Sequence, residues 1–535
     1  MGQYYMGIDV GTASARAGVF DAAGTLLGTA KQDITVHRAP GSMVEQSSNE
    51  IWAAVCAASR GAVAAAGVDP AEVAGIGFDA TCSLVVLGAG GVPLPVGPSE
   101  EPERNIIVWM DHRATPQADR INALGHRVLD YVGGTISPEM ETPKLLWLKE
   151  NRREIFDAAW RFFDLSDYLT WRATGSEARS VCTVTCKWTY MSHEGRWDES
   201  YFRKIGLGEL VDDGFARIGA EIVDPGTPLA AGLTGAAAAD LGLAPGTKVG
   251  AGLIDAHAGG VGTVGARGGG GPQENLGYVF GTSSCTMTTT ADPVFVPGVW
   301  GPYYSAMVPG AWLNEGGQSA AGAAIDRLLR FHPAHDEAAA LASAAGRSLP
   351  GWLGARASEI AGDAAAHLAD GLHVVPEFLG NRAPHADPYT RAVIAGLGME
   401  ADVDNLVALY VAGICGLGYG LRQIIETQTA NGAPIGTIVI SGGAGRSDLV
   451  RQLLADATGV PVAAPATEEP VLLGSAILGA VAAGAYPDMQ SAMAAMSSNV
   501  ASYRPGTAET RAYHNVRYAL FGRFQALARD AAVRG

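Results

Sequence analysis

The sequence contains the same short pattern twice, about 270 residues apart. Near the N-terminus, a β-prone run, a Gly-Thr turn and a second β-prone run occupy residues 7–20, GIDVGTASARAGVF. The pattern returns at 275–289, NLGYVFGTSSCTMTT. We call residues 11–14 the first Gly-Thr turn and residues 281–284 the second. A repeat of this kind favours two α/β domains of like topology that face each other across a cleft.

Composition narrows the class of protein that carries this repeat. The 535 residues are 48% hydrophobic, which provides for a large core and argues against intrinsic disorder. At about 150 residues per domain, the length is typical of two to four domains. The 71 glycines have no three-residue period, which excludes a collagen-like chain. The formal net charge is −17 with no long basic run, so we do not expect nucleic acid as the main partner.

The sequence also bears on compartment and membranes. The first residues, MGQYYMGIDVG, contain neither a basic segment nor a sustained apolar run, so we expect no signal peptide and a cytoplasmic protein. The longest uncharged stretches, about 406–421 and 471–486, are short for a membrane span of about 20 residues. We therefore predict buried core helices there and no membrane partner.

Six cysteines are too few for a disulfide scaffold in a chain of this length. Cys182 and Cys186 lie four residues apart, but no second Cys or His pair follows at zinc spacing. We therefore expect reduced, mostly buried thiols and no zinc site.

Local patterns predict where the elements lie. We predict a β-meander at the N-terminus, a helix at 49–66 capped by Ser48 or Asn49, a strand pair at 73–87 broken at Asp79, and a helical stretch at 143–174. Four consecutive glycines make 264–275 the best candidate linker. The predicted domains are an N-terminal domain at 1–265, a C-terminal domain at 272–490 and a helical tail at 491–535.

A Gly-Thr turn can bind phosphate because glycine lets the backbone approach closely and successive N–H groups form an anion nest. One such turn is usually only a hairpin, whereas two could grip a polyphosphate from both sides. Asp9, just before the first Gly-Thr turn, is a candidate Mg²⁺ ligand, acting through water since magnesium keeps several of its waters. Mg²⁺ is therefore the expected metal.

Other glycine-rich segments require separate interpretations. The SGGAG segment at 441–445 lies between a predicted strand and a predicted helix, at a place suited to a nucleotide base or ribose. Two segments, at 75–80 and 396–401, fit G-x-G-x-x-A but lack the strand–turn–helix setting of a dinucleotide fold. We exclude NAD on this ground.

Asp255 follows a β-prone run and precedes a Gly/Ala-rich helix start. A carboxylate at the end of a strand can accept the proton of a substrate hydroxyl during phosphoryl transfer, and the alternative is a helix N-cap. We assign no role to His257. A small polar substrate needs fixed polar groups, and candidates from the WMDHR, CKW and NEGGQS segments are Trp109, Asp111, Arg113, Lys187, Glu315 and Gln318.

These residues together resemble the FGGY carbohydrate kinases, members of the sugar kinase, actin and heat-shock chaperone ATPase superfamily. The resemblance covers nearly the whole chain through GIDVGTASARAGVFD, PKLLWLKEN, GAGLIDAHAGG, FGTSS, FLGNRAPHADPYTRAVIAGL and ISGGAGRSDLVRQLLAD. It implies an α/β fold of two ribonuclease-H-like, actin-like ATPase domains that face each other across a cleft and close over ATP and sugar.

The resemblance also implies roles for particular residues. Asp255 matches the catalytic base, and Asp9 matches the residue on the magnesium side. The implied nucleotide-binding residues lie on the two Gly-Thr turns and around the adenosine motif: Gly11, Thr12, Ser14, Arg16, Gly281, Thr282, Ser283, Gly442, Gly443, Ala444 and Ser447.

The implied sugar contacts indicate a subgroup. TCSLV at 81–85 resembles the D-ribulokinase-like stretch, and W-x-D-x-R is the family's sugar element. The candidates are Ala80, Thr81, Asp111, Arg113, Lys187, Asp255 and Glu315. Asn381 departs from the acidic residue of the family's Gly-Glu-Arg-x-Pro segment, which argues against a salt bridge in that loop.

We therefore predict an ATP-dependent kinase that phosphorylates the terminal hydroxyl of a ketopentose, D-ribulose first. Alternatives within the enzyme class are kinases for L-ribulose, D-xylulose or a pentitol such as ribitol. From other classes, a non-sugar actin-like or chaperone-like ATPase and a catalytically idle sugar sensor stay open. The expected partners are the sugar and ATP, and a homodimer is left open.

Overall fold

A computed structural model describes residues 4–532, without the side chain of Ala444. Besides short 3₁₀ turns, the first half contains, in chain order, β1 (Tyr4–Val10), β2 (Ser14–Asp21), β3 (Leu26–Asp33), β4 (His37–Ala39), β5 (Met43–Gln46), α1 (Ser48–Ala66), β6 (Val73–Ala80), β7 (Leu84–Gly88), β8 (Ile106–Ile107), α2 (Thr115–Ala123), α3 (Glu141–Asn151), α4 (Arg153–Ala158), β9 (Ala159–Asp164), α5 (Leu165–Thr174), β10 (Arg179–Ser180), α6 (Val181–Trp188), α7 (Glu199–Ile205), α8 (Gly208–Asp212), β11 (Ile222–Val223), α9 (Gly235–Leu241), β12 (Lys248–Ile254) and α10 (Asp255–Val261).

The second half contains, in chain order, β13 (Asn275–Phe280), β14 (Ser284–Thr290), β15 (Trp300–Tyr304), β16 (Trp312–Gln318), α11 (Gly322–Arg330), α12 (His335–Ala344), α13 (Leu349–Ala361), β17 (His373–Val375), β18 (Val393–Ala395), α14 (Val403–Ala430), β19 (Thr437–Ser441), α15 (Asp448–Thr458), β20 (Val462–Pro465), α16 (Pro470–Ala482), α17 (Met489–Met496), β21 (Asn499–Tyr503) and α18 (Ala508–Asp530). Among the described residues, no helix or strand lies between α10 and β13, where the linker is predicted. The domain bounds themselves stay a prediction.

Two large mixed sheets organise the chain, one in each half. The first sheet has the strand order β12-β6-β1-β2-β3, and the second has β15-β16-β14-β13-β19-β20-β21. The first hairpin, β1 with β2, is antiparallel and its β1 runs parallel to β6; in the same way β13 is antiparallel to β14 and parallel to β19. The predicted repeat is therefore a repeat of sheet topology.

Burial follows from the place of each strand in its sheet. In β1 every residue after Tyr4 is buried, as is typical of a central strand covered on both faces by helices. In β3, at the edge of the first sheet, half-buried and exposed residues alternate over 26–31, and the last two residues are exposed. Parallel strands place their carboxyl ends at one edge of a sheet, so β1, β6 and β12 all end at the same edge.

Helix α16 joins the halves through close backbone packing. It follows β20 in the second half, yet it packs against β1, β6 and β12 of the first sheet and against α10. A Cβ added at Gly7 would lie 1.8 Å from the carbonyl oxygen of Leu472, and one added at Gly474 would lie 1.9 Å from that of Ala258. Glycine is required at both positions because its backbone packs directly against the backbone of the neighbouring element.

Three local predictions need correction. The stretch 143–174 is not helical throughout, because the aromatic segment 159–164 forms β9 and pairs antiparallel with β7. Helix α1 is capped by Ser47, whose side chain accepts from the N–H of Glu50, instead of by Ser48 or Asn49. Asp79 does not break the strand pair, since it lies within β6 and the break follows at 81–83.

Of the described residues, one helix, α14, is long and apolar enough to cross a membrane, and 78% of its most apolar window is buried inside the protein. The predicted core helix at 406–421 is thus confirmed as buried. All six cysteines lie in the described part of the chain as free thiols, and five of them are buried.

Candidate active site

A cavity of about 630 Å³ lies where the strand ends of the two sheets meet. Its lining takes residues from both halves of the chain, including both Gly-Thr turns. The predicted site residues that line it are Asp9, Gly11, Thr12, Ser14, Arg16, Thr81, Lys187, Asp255, Gly281, Thr282, Ser283 and Glu315. The fold therefore brings together predictions that lie as far as 306 residues apart, from Asp9 to Glu315.

Three carboxylates stand at adjacent strand ends of the first sheet. Asp9 in β1 lies opposite Asp79 in β6, and Asp255 directly follows β12. Burial, and then the nearby Asp9, raise the pKa of Asp255 to about 6. The same two causes hold the pKa of Asp79 well above its ordinary value, and the hydroxyl of Ser475 donates to Asp79 Oδ2 at 2.5 Å.

Asp255 is the first residue of α10, and its Oδ1 accepts the N–H of Ala256 at 2.7 Å. The residue in the N-cap position is Ile254, which makes no side-chain cap. The alternative prediction, a helix N-cap aspartate, is therefore wrong. The Asp255 carboxylate lies at the cavity wall, half-buried.

Arg16 links the carboxylate cluster to the second half. Its Nε donates to Asp9 Oδ2 at 2.9 Å, and its Nη1 donates to Glu469 Oε2 at 2.8 Å, at the start of α16. One arginine thus partly neutralises two carboxylates from different halves of the chain. The Arg16 side chain keeps about a third of its surface exposed and lines the cavity.

Each Gly-Thr turn contains a backbone hydrogen bond from its glycine N–H, to the residue three positions on in the first turn and two positions on in the second. The N–H of Gly11 donates to the carbonyl of Ser14 at 3.0 Å, and that of Gly281 donates to the carbonyl of Ser283 at 2.9 Å. A Cβ at either glycine would meet its nearest atom at 3.8 Å and 3.6 Å, which is ordinary contact. Since packing tolerates a side chain at both positions, glycine there suits the close approach of a ligand.

Another part of the cavity lining holds two cationic side chains close to an aromatic ring. The Trp300 ring centroid lies 4.9 Å from Lys187 Nζ and 5.7 Å from Arg382 Cζ. Burial works against the Glu315 carboxylate, but Lys187 and His257 outweigh it and lower the pKa of Glu315 to about 2. Burial also opposes the Lys187 ammonium, yet Cys82 and Glu315 hold its pKa well above the usual range. Both side chains are therefore charged at neutral pH.

Two predicted sugar contacts do not reach the cavity. Asp111 Oδ2 accepts the N–H of Val44 at 2.6 Å and pairs with Arg113 Nη2 at 2.7 Å. Arg113 also pairs with Glu45 at 2.8 Å, and the side chains of Arg113 and Asp111 are both 0% exposed. These partners occupy the polar atoms of Asp111 and Arg113 behind the cavity wall, and their role as sugar contacts stays a prediction.

The neighbouring Trp109 does line the cavity. Its N–H is held by Ser83 Oγ at 3.1 Å, and its indole N–H donates to Thr12 Oγ1 at 3.0 Å. Thr81 lines the cavity as well, with its hydroxyl 3.3 Å from that of Ser83. Ala80, the last residue of β6, is fully buried and lies outside the lining.

The predicted adenosine motif lies beside the cavity, outside its lining. Gly442 has a φ of 92°, and a Cβ there would lie 2.4 Å from the carbonyl oxygen of Phe280. Gly443 is exposed with open space around it. Ser447 caps α15 by accepting the N–H of Val450, which gives this serine a structural role that the prediction did not include. The side chain of Ala444 lies outside the described residues.

Ten lining residues were not predicted as site residues: Lys31, Cys82, Glu139, Ile254, Ala256, Val279, Cys285, Trp300, Arg382 and Val471. Asp79 was read only as a strand break. The sequence contained a clue to Arg382, because this residue directly follows Asn381, the position at which the segment departs from the family pattern. Asn381 itself is held by amide bonds, donating to Glu377 Oε1 at 2.5 Å and accepting the N–H of His385 at 2.9 Å.

Comparisons with known proteins show the family of the chain. The N-terminal and C-terminal domain models of the FGGY family of carbohydrate kinases match residues 4–262 and 276–483. A human FGGY carbohydrate kinase domain-containing protein is 46% identical over 97% of this chain and 95% of its own length. The D-ribulokinase of Saccharomyces cerevisiae is 40% identical over 90% of this chain and 72% of its own length.

The fold agrees as well. A ligand-bound xylulose kinase from Lactobacillus acidophilus superposes with a TM-score of 0.80 at 20% identity, covering 99% of both chains. The predicted fold of two actin-like ATPase domains is thereby confirmed. Since both domain models together span most of the sequence, the chain belongs to the FGGY family of carbohydrate kinases and is a sugar kinase with ATP as its cosubstrate.

Proposed function

We propose that this kinase transfers the γ-phosphoryl group of ATP to the terminal hydroxyl of a ketopentose, D-ribulose, giving D-ribulose 5-phosphate. The observation that carries the proposal is the position of Asp255, in one cavity with both Gly-Thr turns and with the charged pair Lys187 and Glu315. The choice of sugar rests on the D-ribulokinase that is 40% identical to the chain.

Asp255 is the proposed general base. The sugar O–H proton passes to the Asp255 carboxylate as the hydroxyl oxygen bonds to the γ-phosphorus, and the bond from phosphorus to the bridging oxygen breaks with its electrons leaving on ADP. A pKa of about 6 suits this task, because the carboxylate is ionised at neutral pH and more basic than an ordinary aspartate.

The two Gly-Thr turns are the proposed polyphosphate site. They approach the cavity from different sheets, so the phosphates would lie between backbone groups of both halves. Thr12 is held in place from two sides, since its hydroxyl accepts from Trp109 and its carbonyl accepts from Gln46 Nε2 at 2.7 Å. A turn fixed in this way is organised before ATP arrives, which lowers the cost of binding.

The residues around Asp9 fit Mg²⁺. The site holds a cluster of three carboxylates, Asp9, Asp79 and Asp255. Arg16 is bonded to Asp9. The Oδ1 atom of Asp79 is buried and has no hydrogen-bond partner among the described residues. Such an excess of carboxylate oxygen is what a hard divalent cation requires. We propose that Asp9 holds Mg²⁺ through water. The ion supplies charge neutralisation for the phosphates when it is bound.

The sugar is proposed to lie between Trp300 and Asp255. Lys187 can donate hydrogen bonds to sugar hydroxyls, and Glu315, with its lowered pKa, can accept them. Thr81 adds a hydroxyl on the first-half side, and Arg382 adds a guanidinium on the second-half side. A site with fixed donors and acceptors discriminates strongly between sugars that differ in one hydroxyl.

A coupled ADP-release assay on the full chain tests the proposal. We expect the highest kcat/KM with D-ribulose, and lower values with L-ribulose, D-xylulose and ribitol. A higher value with any of these three would replace D-ribulose as the substrate. ATP hydrolysis that does not depend on any sugar would overturn the kinase proposal in favour of a non-sugar ATPase, and the absence of turnover with an intact fold would favour the sugar sensor.

A further inference from the structure

Behind the sugar end of the cavity lies a buried cluster of three groups that bind soft metals. Cys182 and Cys186 lie one helical turn apart on α6, and His257 lies on α10. Their ligand atoms all lie within 4.8 Å of one another, and all three residues are buried. Cys182 Sγ and His257 Nδ1 are 3.1 Å apart. The spacing of the cysteines alone gave no zinc pattern, because the third group comes from 71 residues further along the chain.

Neighbouring groups orient His257 and Cys182 so that a nitrogen and a sulfur are directed at the same place, as a metal site requires. His257 Nε2 lies 3.2 Å from Glu315 Oε2, so the carboxylate accepts the Nε2 proton and Nδ1 is the nitrogen that faces Cys182. A carboxylate bonded to the outer nitrogen of a histidine is the usual support of a metal-bound imidazole. The N–H of Ile254 donates to Cys182 Sγ at 3.4 Å, a bond that favours a thiolate.

Charge balance allows a divalent cation in this buried place. Without metal, each ring nitrogen of His257 faces a hydrogen-bond acceptor, Nδ1 the sulfur of Cys182 at 3.1 Å and Nε2 the carboxylate of Glu315 at 3.2 Å, an arrangement that fits an imidazolium beside a thiolate. A divalent cation would displace two protons, one from His257 and one from the Cys186 thiol. Two protons leave as two positive charges enter, so the net charge of the buried group does not change. Burial therefore imposes no added penalty for charge.

We propose that Cys182, Cys186 and His257 form a binding site for one soft divalent cation with the ligand preference of Zn²⁺. Thiolate and imidazole ligands select zinc over the hard Mg²⁺, for which Asp9 is the proposed ligand. The site is separate from the reacting groups but adjoins them in sequence, because Cys186 precedes Lys187 and His257 follows Asp255 by two residues. A bound cation would join α6 to α10 and hold both side chains in place.

Cobalt titration of the full chain, stripped of metal and without nucleotide, tests the proposal. We expect one equivalent of Co²⁺ with thiolate-to-cobalt charge-transfer absorption and the strong visible bands of a tetrahedral site. Cobalt held by carboxylates near Asp9 has no thiolate band, so the two places are distinguishable. We expect Cys186→Ala to lose the charge-transfer band. Cys56→Ala, which removes another buried cysteine, from α1, should keep it.

Glu315→Gln keeps all three ligands and removes the carboxylate that supports His257. We expect its Co²⁺ affinity to fall about 10- to 100-fold, the effect of losing such a carboxylate. Unchanged affinity in both Cys186→Ala and Glu315→Gln would overturn the proposal.

The wild-type chain gives a test that does not depend on whether a variant folds. X-ray absorption of the protein with one equivalent of Zn²⁺ should show two sulfur ligands at about 2.3 Å and a nitrogen ligand at about 2.0–2.1 Å. A shell of oxygen and nitrogen alone would refute the site.

Discussion

The two hairpins that begin the two sheets share a topology but differ in charge. In the first, Asp9 lies two residues before Gly11 and pairs with Asp79 of the parallel neighbour strand. In the second, Val279 lies two residues before Gly281 and pairs with Ser441. The same backbone frame thus holds two carboxylates in one half and an aliphatic and a hydroxyl side chain in the other.

This difference in charge suits the two hairpins to different tasks in binding and catalysis. The first half concentrates negative charge where a metal ion and a general base are proposed, and burial, then the nearby Asp9, raise the pKa values of Asp79 and Asp255. The second half presents a turn without a carboxylate at the matching position, which suits contact with an anionic polyphosphate. A protein with a net charge of −17 can bind ATP in this way because the charges close to the binding site, and not the overall charge, determine how strongly the anionic ligand is attracted or repelled.

Asp255→Asn gives the largest expected effect, because it removes the proposed base from the first half while keeping the shape of the side chain. We expect kcat to fall about 10²- to 10⁴-fold, the usual contribution of a general base. ATP affinity, measured by calorimetry, should stay unchanged. Asp336→Asn, at a fully exposed aspartate on α12, is the matched control and should keep full activity. Near-normal turnover by Asp255→Asn would remove this residue from the mechanism.

Val279→Asp makes the second hairpin resemble the first. The added carboxylate would lie beside the proposed polyphosphate site, and like charges in a binding site cost several kcal/mol. We expect the KM for ATP to rise at least about tenfold, which corresponds to about 1.4 kcal/mol. Val279→Asn has the same shape without the charge and should affect the KM much less. An equal rise in both variants would mean that packing, not charge, distinguishes the hairpins.

The pH profile gives the smallest expected effect. Because only the ionised Asp255 can accept a proton and its pKa is raised to about 6, activity should be nearly full at pH 7 and should fall as the pH drops through 6. The loss of kcat between pH 7 and pH 5 should be about tenfold, as one protonation requires. The residual activity of Asp255→Asn should lack this step. A profile that is flat down to pH 5 would contradict the raised pKa.

Much of the fold could be predicted because the signals are local and repeated. Each Gly-Thr turn lies between two β-prone runs, and the strand that precedes Asp255 ends where its β-prone run ends. The segment 159–164 was missed because its apolar residues continue a helical pattern from both sides. Only the pairing of β9 with β7, 71–80 residues earlier in the chain, makes it a strand.

The site was less predictable, since burial decides which polar residues are free to bind. Asp111 and Arg113 belong to a motif and were expected in the cavity, yet they pair with each other behind its wall. Glu139 belongs to no motif and lines the cavity. Partners such as Glu45 for Arg113 lie 68 residues apart in the chain, so no pattern of spacing reveals them.

Helix α16 also constrains the order in which the chain can fold during synthesis. The N-terminal domain of a protein generally folds first as it leaves the ribosome. Here the face of the first sheet around Gly7 is covered by residues 470–482, which are made more than 400 residues later. The nascent first half therefore emerges with an uncovered apolar face, and its core is complete only when the second half has nearly been synthesised.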